Sequence, residues 1–89
     1  MKQYCMIVSG IVQGVGFRYF TLNLAINLDI KGWVRNLSNG DVEILAQGSE
    51  QALGEFLNKI GKGPKYSTVN HVEINTQEIT KSFKIFTIK

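Results

Sequence analysis

The sequence predicts an α+β domain: a sheet with two helices packed on one of its faces. Apolar runs of strand length alternate with two segments of helical periodicity, in the order β-α-β-β-α-β with one further strand at the end. Glycine-rich turns punctuate the elements, and no internal repeat or linker divides them. At 89 residues, positions 1–89 are expected to form one small domain with one modest core.

The first strand begins at Tyr4-Cys5-Met6-Ile7-Val8 and runs to Val12, apolar on both alternating faces as a central strand is. Phe17, Phe20, Leu24, Ala25 and Leu28 then recur at helical spacing and predict a first helix. Ile30 to Leu37 reads as the second strand, with Ile30 and Val34 on one face. Ser38-Asn39-Gly40 supplies a hairpin, because Asn-Gly tolerates the positive φ angles of a tight primed turn. The third strand, Asp41 to Gln47, points Val42, Ile44 and Ala46 to the core and Asp41, Glu43 and Gln47 to water.

Gly48-Ser49-Glu50 opens the second helix, with Ser49 as its cap and Glu50 set against the helix dipole. Leu53, Phe56, Leu57 and Ile60 form its buried stripe, and Gly61-Lys62-Gly63-Pro64 stops it. A fourth strand covers Ser67 to Asn75, with Val72 and Ile74 inward and His71 on the other face. Ser82 to Ile88 makes the last. Two helices on one face of an antiparallel or mixed sheet in this order give the ferredoxin-like, split βαβ sandwich.

Composition excludes several classes of function. A chain that is 44% hydrophobic and 19% charged is globular rather than disordered. No apolar run approaches the ~20 residues that span a bilayer, so no membrane partner is expected. Met1-Lys2-Gln3 leads straight into a strand, so no signal peptide is expected, and the single cysteine, Cys5, rules out an internal disulfide or cysteine metal cluster. A cytoplasmic monomer without metal or cofactor is the expectation. A net charge of +3 suits an anionic ligand but is too small and scattered for nucleic acid. Asp41 to Gln47 also has two acids and no aromatic where RNA-recognition sheets carry their stacking residues.

The chemistry concentrates between the first strand and the first helix, at Gly10-Ile11-Val12-Gln13-Gly14-Val15-Gly16-Phe17-Arg18. Two glycines one residue apart let successive N–H groups turn inward, and a nest of amides at a helix start binds anions. Arg18 stands in the first helical turn, where a cation opposes the dipole at a cost of ~0.3–1 kcal/mol. No Ser, Thr, Asp or Asn precedes the helix to cap it. A bound oxyanion accounts for both oddities, so the backbone from Gln13 through Gly14, Val15, Gly16 and Phe17 to Arg18 is read as a phosphate cradle. The loop lacks the Lys-Ser/Thr pair of a Walker loop and the third glycine of a dinucleotide fingerprint.

The split βαβ order sets the third strand between the first and the second. The loop after strand one and the end of strand two then share one end of the sheet, two strand spacings or ~10 Å apart. The polar residue there is Asn36. Its amide cannot act as a general base, but it can hold a water in line with phosphorus. No general acid and no carboxylate cluster for Mg²⁺ accompany the pair. A carboxylate leaving group needs no proton, so these residues favour a mixed carboxylic–phosphoric anhydride over a phosphomonoester. Elsewhere, Cys5 reads as a strand residue without a basic partner, and Trp33 and Tyr19 as packing or rim residues.

The segment Gly10 to Arg18 resembles the first signature of the acylphosphatases. Gly32-Trp33-Val34-Arg35-Asn36-Leu37-Ser38-Asn39-Gly40 resembles the second. Their spacing, Gly63-Pro64 after the second helix and the chain length agree with that family over essentially the whole domain. Asn39, where the family often has Asp, and Lys65-Tyr66-Ser67-Thr68 depart from its pattern. The resemblance implies hydrolysis of a small-molecule acyl phosphate, with phosphate bound by Gln13 to Arg18, substrate anchored by Arg18 and the catalytic water oriented by Asn36. Acylphosphatase-like domains also occur inside larger proteins such as hydrogenase-maturation factors. A non-catalytic phosphate-binding module with the same pocket is therefore the alternative.

Overall fold

The computed structural model describes Met1–Lys89. Its central strand, β1 (Lys2–Ile11), pairs antiparallel with β3 (Val42–Gly48) on one side and β4 (Thr68–Gln77) on the other. β2 (Lys31–Asn36) adds antiparallel to β3, and β5 (Phe86–Ile88) adds parallel to β2. The order across the sheet is β4-β1-β3-β2-β5, the mixed ferredoxin-like arrangement with an added edge strand. Helix α1 (Phe17–Asn27) joins β1 to β2, and α2 (Glu50–Lys62) joins β3 to β4. Both lie on one face.

Register fixes which side chains meet the helices. Met6 stands opposite Ile44, which stands opposite Val34, and Val8 stands opposite Val42, which stands opposite Asn36. Paired residues share a face, so Asn36 belongs to the helix-facing layer. The core closes over these rows with Phe17, Leu24 and Ala25 from α1 and Leu53, Phe56 and Ile60 from α2. Phe20, Leu28 and Leu57, expected in the buried stripes, pack half-buried at the margin of the core. Thr21 is buried in their place, its hydroxyl donating to the Phe17 carbonyl at 2.9 Å.

Three expectations are corrected. Gln47, assigned to water, is fully buried. It does lie on the helix-free face, but the chain between β4 and β5 crosses that face and covers it. Its Nε2 donates to Gln3 Oε1 and to the Lys81 carbonyl, both at 2.6 Å, and its Oε1 accepts from Phe83 N–H at 3.0 Å. Those bonds hold Lys81 to Phe83 over the sheet face, and the last strand shortens from Ser82–Ile88 to Phe86–Ile88. Ile74 is on the helix side, opposite Met6, yet it remains 43% exposed because β4 is an edge. An extra residue, Asn70, lies between the paired positions Val69 and His71, so Val69 and Val72 both reach the core from three residues apart.

The hairpin is also longer than a two-residue primed turn. Gly40 N–H donates to the Leu37 carbonyl at 3.2 Å and Leu37 N–H to the Asp41 carbonyl at 2.8 Å, leaving a three-residue loop. Only Gly40, with φ +97°, needs the left-handed region, while Asn39 Oδ1 instead accepts from Asp41 N–H at 3.0 Å.

Candidate active site

The loop between β1 and α1 is held at both ends by buried side chains, Val12 and Phe17. Between them Gly14 has φ +73° and Gly16 φ +80°, while Val15 and Phe17 keep negative φ. Such an alternation of hand is what an anion nest of successive N–H groups requires. A Cβ on either glycine would meet nothing within 4 Å, so backbone conformation and not crowding demands glycine there. Gly16 is the N-cap of α1, with no side-chain hydrogen bond to the helix start and no acid in the first turn. The first amides of α1 therefore open, uncapped, onto whatever lies in front of them.

A cleft of about 190 Å³ lies there, lined by Val12, Gly14, Gly16, Phe17, Arg18, Tyr19 and Asn36. Arg18 takes part in none of the three ion pairs of the molecule, and no lining residue is a carboxylate. The cleft thus offers a free guanidinium and free amides to an anion. Across from them, Asn36 Oδ1 is buried without a hydrogen-bond partner. A buried amide oxygen left unpaired costs roughly 1–3 kcal/mol. A half-turn about χ2 exchanges the amide oxygen and nitrogen, so Asn36 can present either to a molecule in the cleft.

Of the residues expected at this site, Gly14, Gly16, Phe17, Arg18 and Asn36 come together around the cleft, and Gln13 and Val15 do not line it. The Gln13 side chain is engaged elsewhere, its Nε2 donating to the carbonyls of Leu37 at 2.7 Å and Asp41 at 2.8 Å. Val12, just past the end of β1, also lines the cleft, and an apolar side chain there carries no chemical signal in the sequence. Tyr19, 67% exposed, forms part of the rim. Trp33 pairs with Leu45 on the helix-free face, its ring 4.4 Å from Lys89 Nζ and 5.3 Å from the Arg35 guanidinium carbon, and takes no part in the cleft.

A larger cleft of about 300 Å³ separates the end of α1 from the start of α2. Its charged residues are Asp29 and Glu55, which repel an anion. Cys5 is on the sheet face away from both, where burial, and then the Glu43 carboxylate, push its thiol above the usual range. No group of three or more His, Cys, Asp or Glu side chains is placed to hold a metal ion.

Fold and cleft together describe a ferredoxin-like domain whose one cationic cleft opens at the start of α1. The acylphosphatase family model matches residues 4–88. An acylphosphatase of Thermotoga petrophila is 46% identical over 89 residues, covering 100% of this chain and 98% of the relative. The crystal structure of acylphosphatase from Bacillus subtilis superposes with a TM-score of 0.97 at 40% identity, covering 100% of this chain and 99% of the other. The same fold forms part of a larger protein: HypF of T. kodakarensis matches with a TM-score of 0.90 at 31% identity, over 100% of this chain and 12% of HypF. The chain belongs to the acylphosphatase family, enzymes that hydrolyse acyl phosphates.

Proposed function

We propose that this protein hydrolyses small acyl phosphates in the cleft between the β1–α1 loop and the end of β2, with Arg18 and Asn36 as its catalytic residues. The phosphate sits on the amides of the loop, from Gln13 to Arg18, and against the Arg18 guanidinium. These groups stabilise charge as it builds on the equatorial oxygens. Asn36 holds a water in line with phosphorus. The water oxygen forms a bond to phosphorus as the bond to the acyl oxygen breaks. The carboxylate leaves without a proton, and the water's proton passes to a phosphate oxygen. The products are a carboxylate and inorganic phosphate.

The observation that carries this reading is the pairing of a buried, unpartnered Asn36 Oδ1 with an uncapped helix start and a free Arg18 across one cleft. The cleft is lined by no carboxylate, histidine, lysine or cysteine, and its phenol, Tyr19, stands on the exposed rim; this suits an anhydride, whose leaving carboxylate needs no proton, better than a phosphomonoester. Tyr19 on the rim is suited to flank the acyl group. We further read residues 1–89 as a single domain acting as a cytoplasmic monomer, independent of nucleic acid. Glu43 and the lack of aromatics on β3 support the last point.

Steady-state hydrolysis of an acyl phosphate in excess EDTA tests the proposal. Turnover should persist in the chelator. Arg18→Ala should abolish both phosphate inhibition and turnover, and Asn36→Ala should lower kcat by about 10²–10³-fold with phosphate inhibition retained. Normal turnover in both variants contradicts the assignment. Phosphate binding without any hydrolysis by the wild type would make the cleft a binding module.

A further inference from the structure

Gln13 makes a connection that anion binding itself does not require. Its Nε2 spends one hydrogen on the Leu37 carbonyl at 2.7 Å and the other on the Asp41 carbonyl at 2.8 Å. Those carbonyls form the mouth of the β2–β3 turn, already closed by Leu37 N–H to Asp41. Leu37 directly follows Asn36, and Gln13 directly precedes Gly14, the first residue of the nest. One side chain therefore ties the strand end that carries Asn36 to the loop that carries the amides, across 24 and 28 residues of sequence.

We propose that the Gln13 side chain is a positioning element for hydrolysis: it sets the gap between the phosphate cradle and the Asn36 amide, and does not itself touch the substrate. This rests on the roles proposed above for the loop and Asn36. In-line attack is sensitive to that gap, since a misplacement of ~1 Å costs about a hundredfold in rate. The chemistry of the clamp is specific. Two backbone acceptors must be met by two donors on one atom, at the reach of a three-carbon stem. Methionine has nearly that length and no donor. Lysine supplies three donors on a slightly longer stem.

Benzoyl phosphate hydrolysis, with inorganic phosphate as competitive inhibitor, separates positioning from mere stability. Gln13→Met should lower kcat about ten- to a hundredfold while phosphate inhibition changes by less than about threefold, and Gln13→Lys should recover most of the loss. In an Asn36→Ala background Gln13→Met should have no further effect, because the residue it positions is already gone. Should Gln13→Met fail to fold, Gln13→Asn, one methylene short of the carbonyls, carries the same comparison. Unchanged kcat, an equal fall in both backgrounds, or a parallel loss of phosphate affinity overturns the inference alone. A wild type without hydrolysis, or a fully active Asn36→Ala, overturns the functional reading and this inference with it.

Discussion

Asn36 and Arg18 have in common that the protein leaves them incomplete. Elsewhere its buried polar groups are satisfied: Gln47 bonds Gln3, Lys81 and Phe83, and Thr21 bonds Phe17. Three ion pairs form among the charged side chains, Lys2 with Glu50, Lys31 with Asp29 and Arg35 with Glu43. The unpartnered Asn36 Oδ1 and the unpaired Arg18 belong to residues that line one cleft, where, on the function proposed above, a bound phosphate and its water supply the missing bonds. Cys5 is the useful contrast, a half-buried thiol whose surroundings disfavour the thiolate. Burial and the neighbouring Glu43 raise its thiol, so the thiolate is scarce at pH 8. Iodoacetamide at that pH should modify native Cys5 much more slowly than the urea-unfolded chain, without loss of acyl phosphate turnover at early times. Equal rates in the two states would show that the site is not shielded.

The two helices differ in the same way. Helix α2 is finished by its own sequence: Ser49 Oγ accepts from Ala52 N–H at 3.1 Å, Glu50 lies in the first turn, and Lys59 and Lys62 lie in the last. Helix α1 has no side-chain cap, no acid in its first turn and no base in its last. A phosphate at its start would act as the missing cap. Inorganic phosphate should therefore raise Tm saturably, by the equivalent of about 2.7 kcal/mol at a hundred times its Kd, and Arg18→Ala should remove that response. Ser49→Ala should cost about 1 kcal/mol with and without phosphate. A phosphate response unaffected by Arg18→Ala would place the bound anion elsewhere.

At the scale of the whole molecule, the order of the elements, the helix-facing rows and the meeting of Arg18 with Asn36 are all legible in the sequence. They follow from periodicity, turn residues and the topology those imply. What is not legible depends on contacts between distant segments. Gln47 alternates like a water-facing residue, and only the chain around Lys81 to Phe83 folding over it makes it buried. The extra residue Asn70 changes which β4 side chains point inward, and no local pattern announces it. Gln13 belongs to a recognisable motif, but its side chain serves the turn beyond β2 and not the cleft. The loop conformation and the charge that define the candidate site are legible in the sequence, and a side chain that acts on a remote backbone is not.

In the mechanism proposed above, water attacks phosphorus held on the loop, so that the bond between phosphorus and the acyl oxygen breaks. Hydrolysis of benzoyl phosphate by the wild-type protein in ¹⁸O-water, followed by mass analysis of both products, tests it most directly. Attack at phosphorus puts one labelled oxygen in the inorganic phosphate and none in the benzoate. Label in the benzoate would mean attack at the carbonyl carbon, and would contradict a mechanism built on Arg18, the loop amides and Asn36.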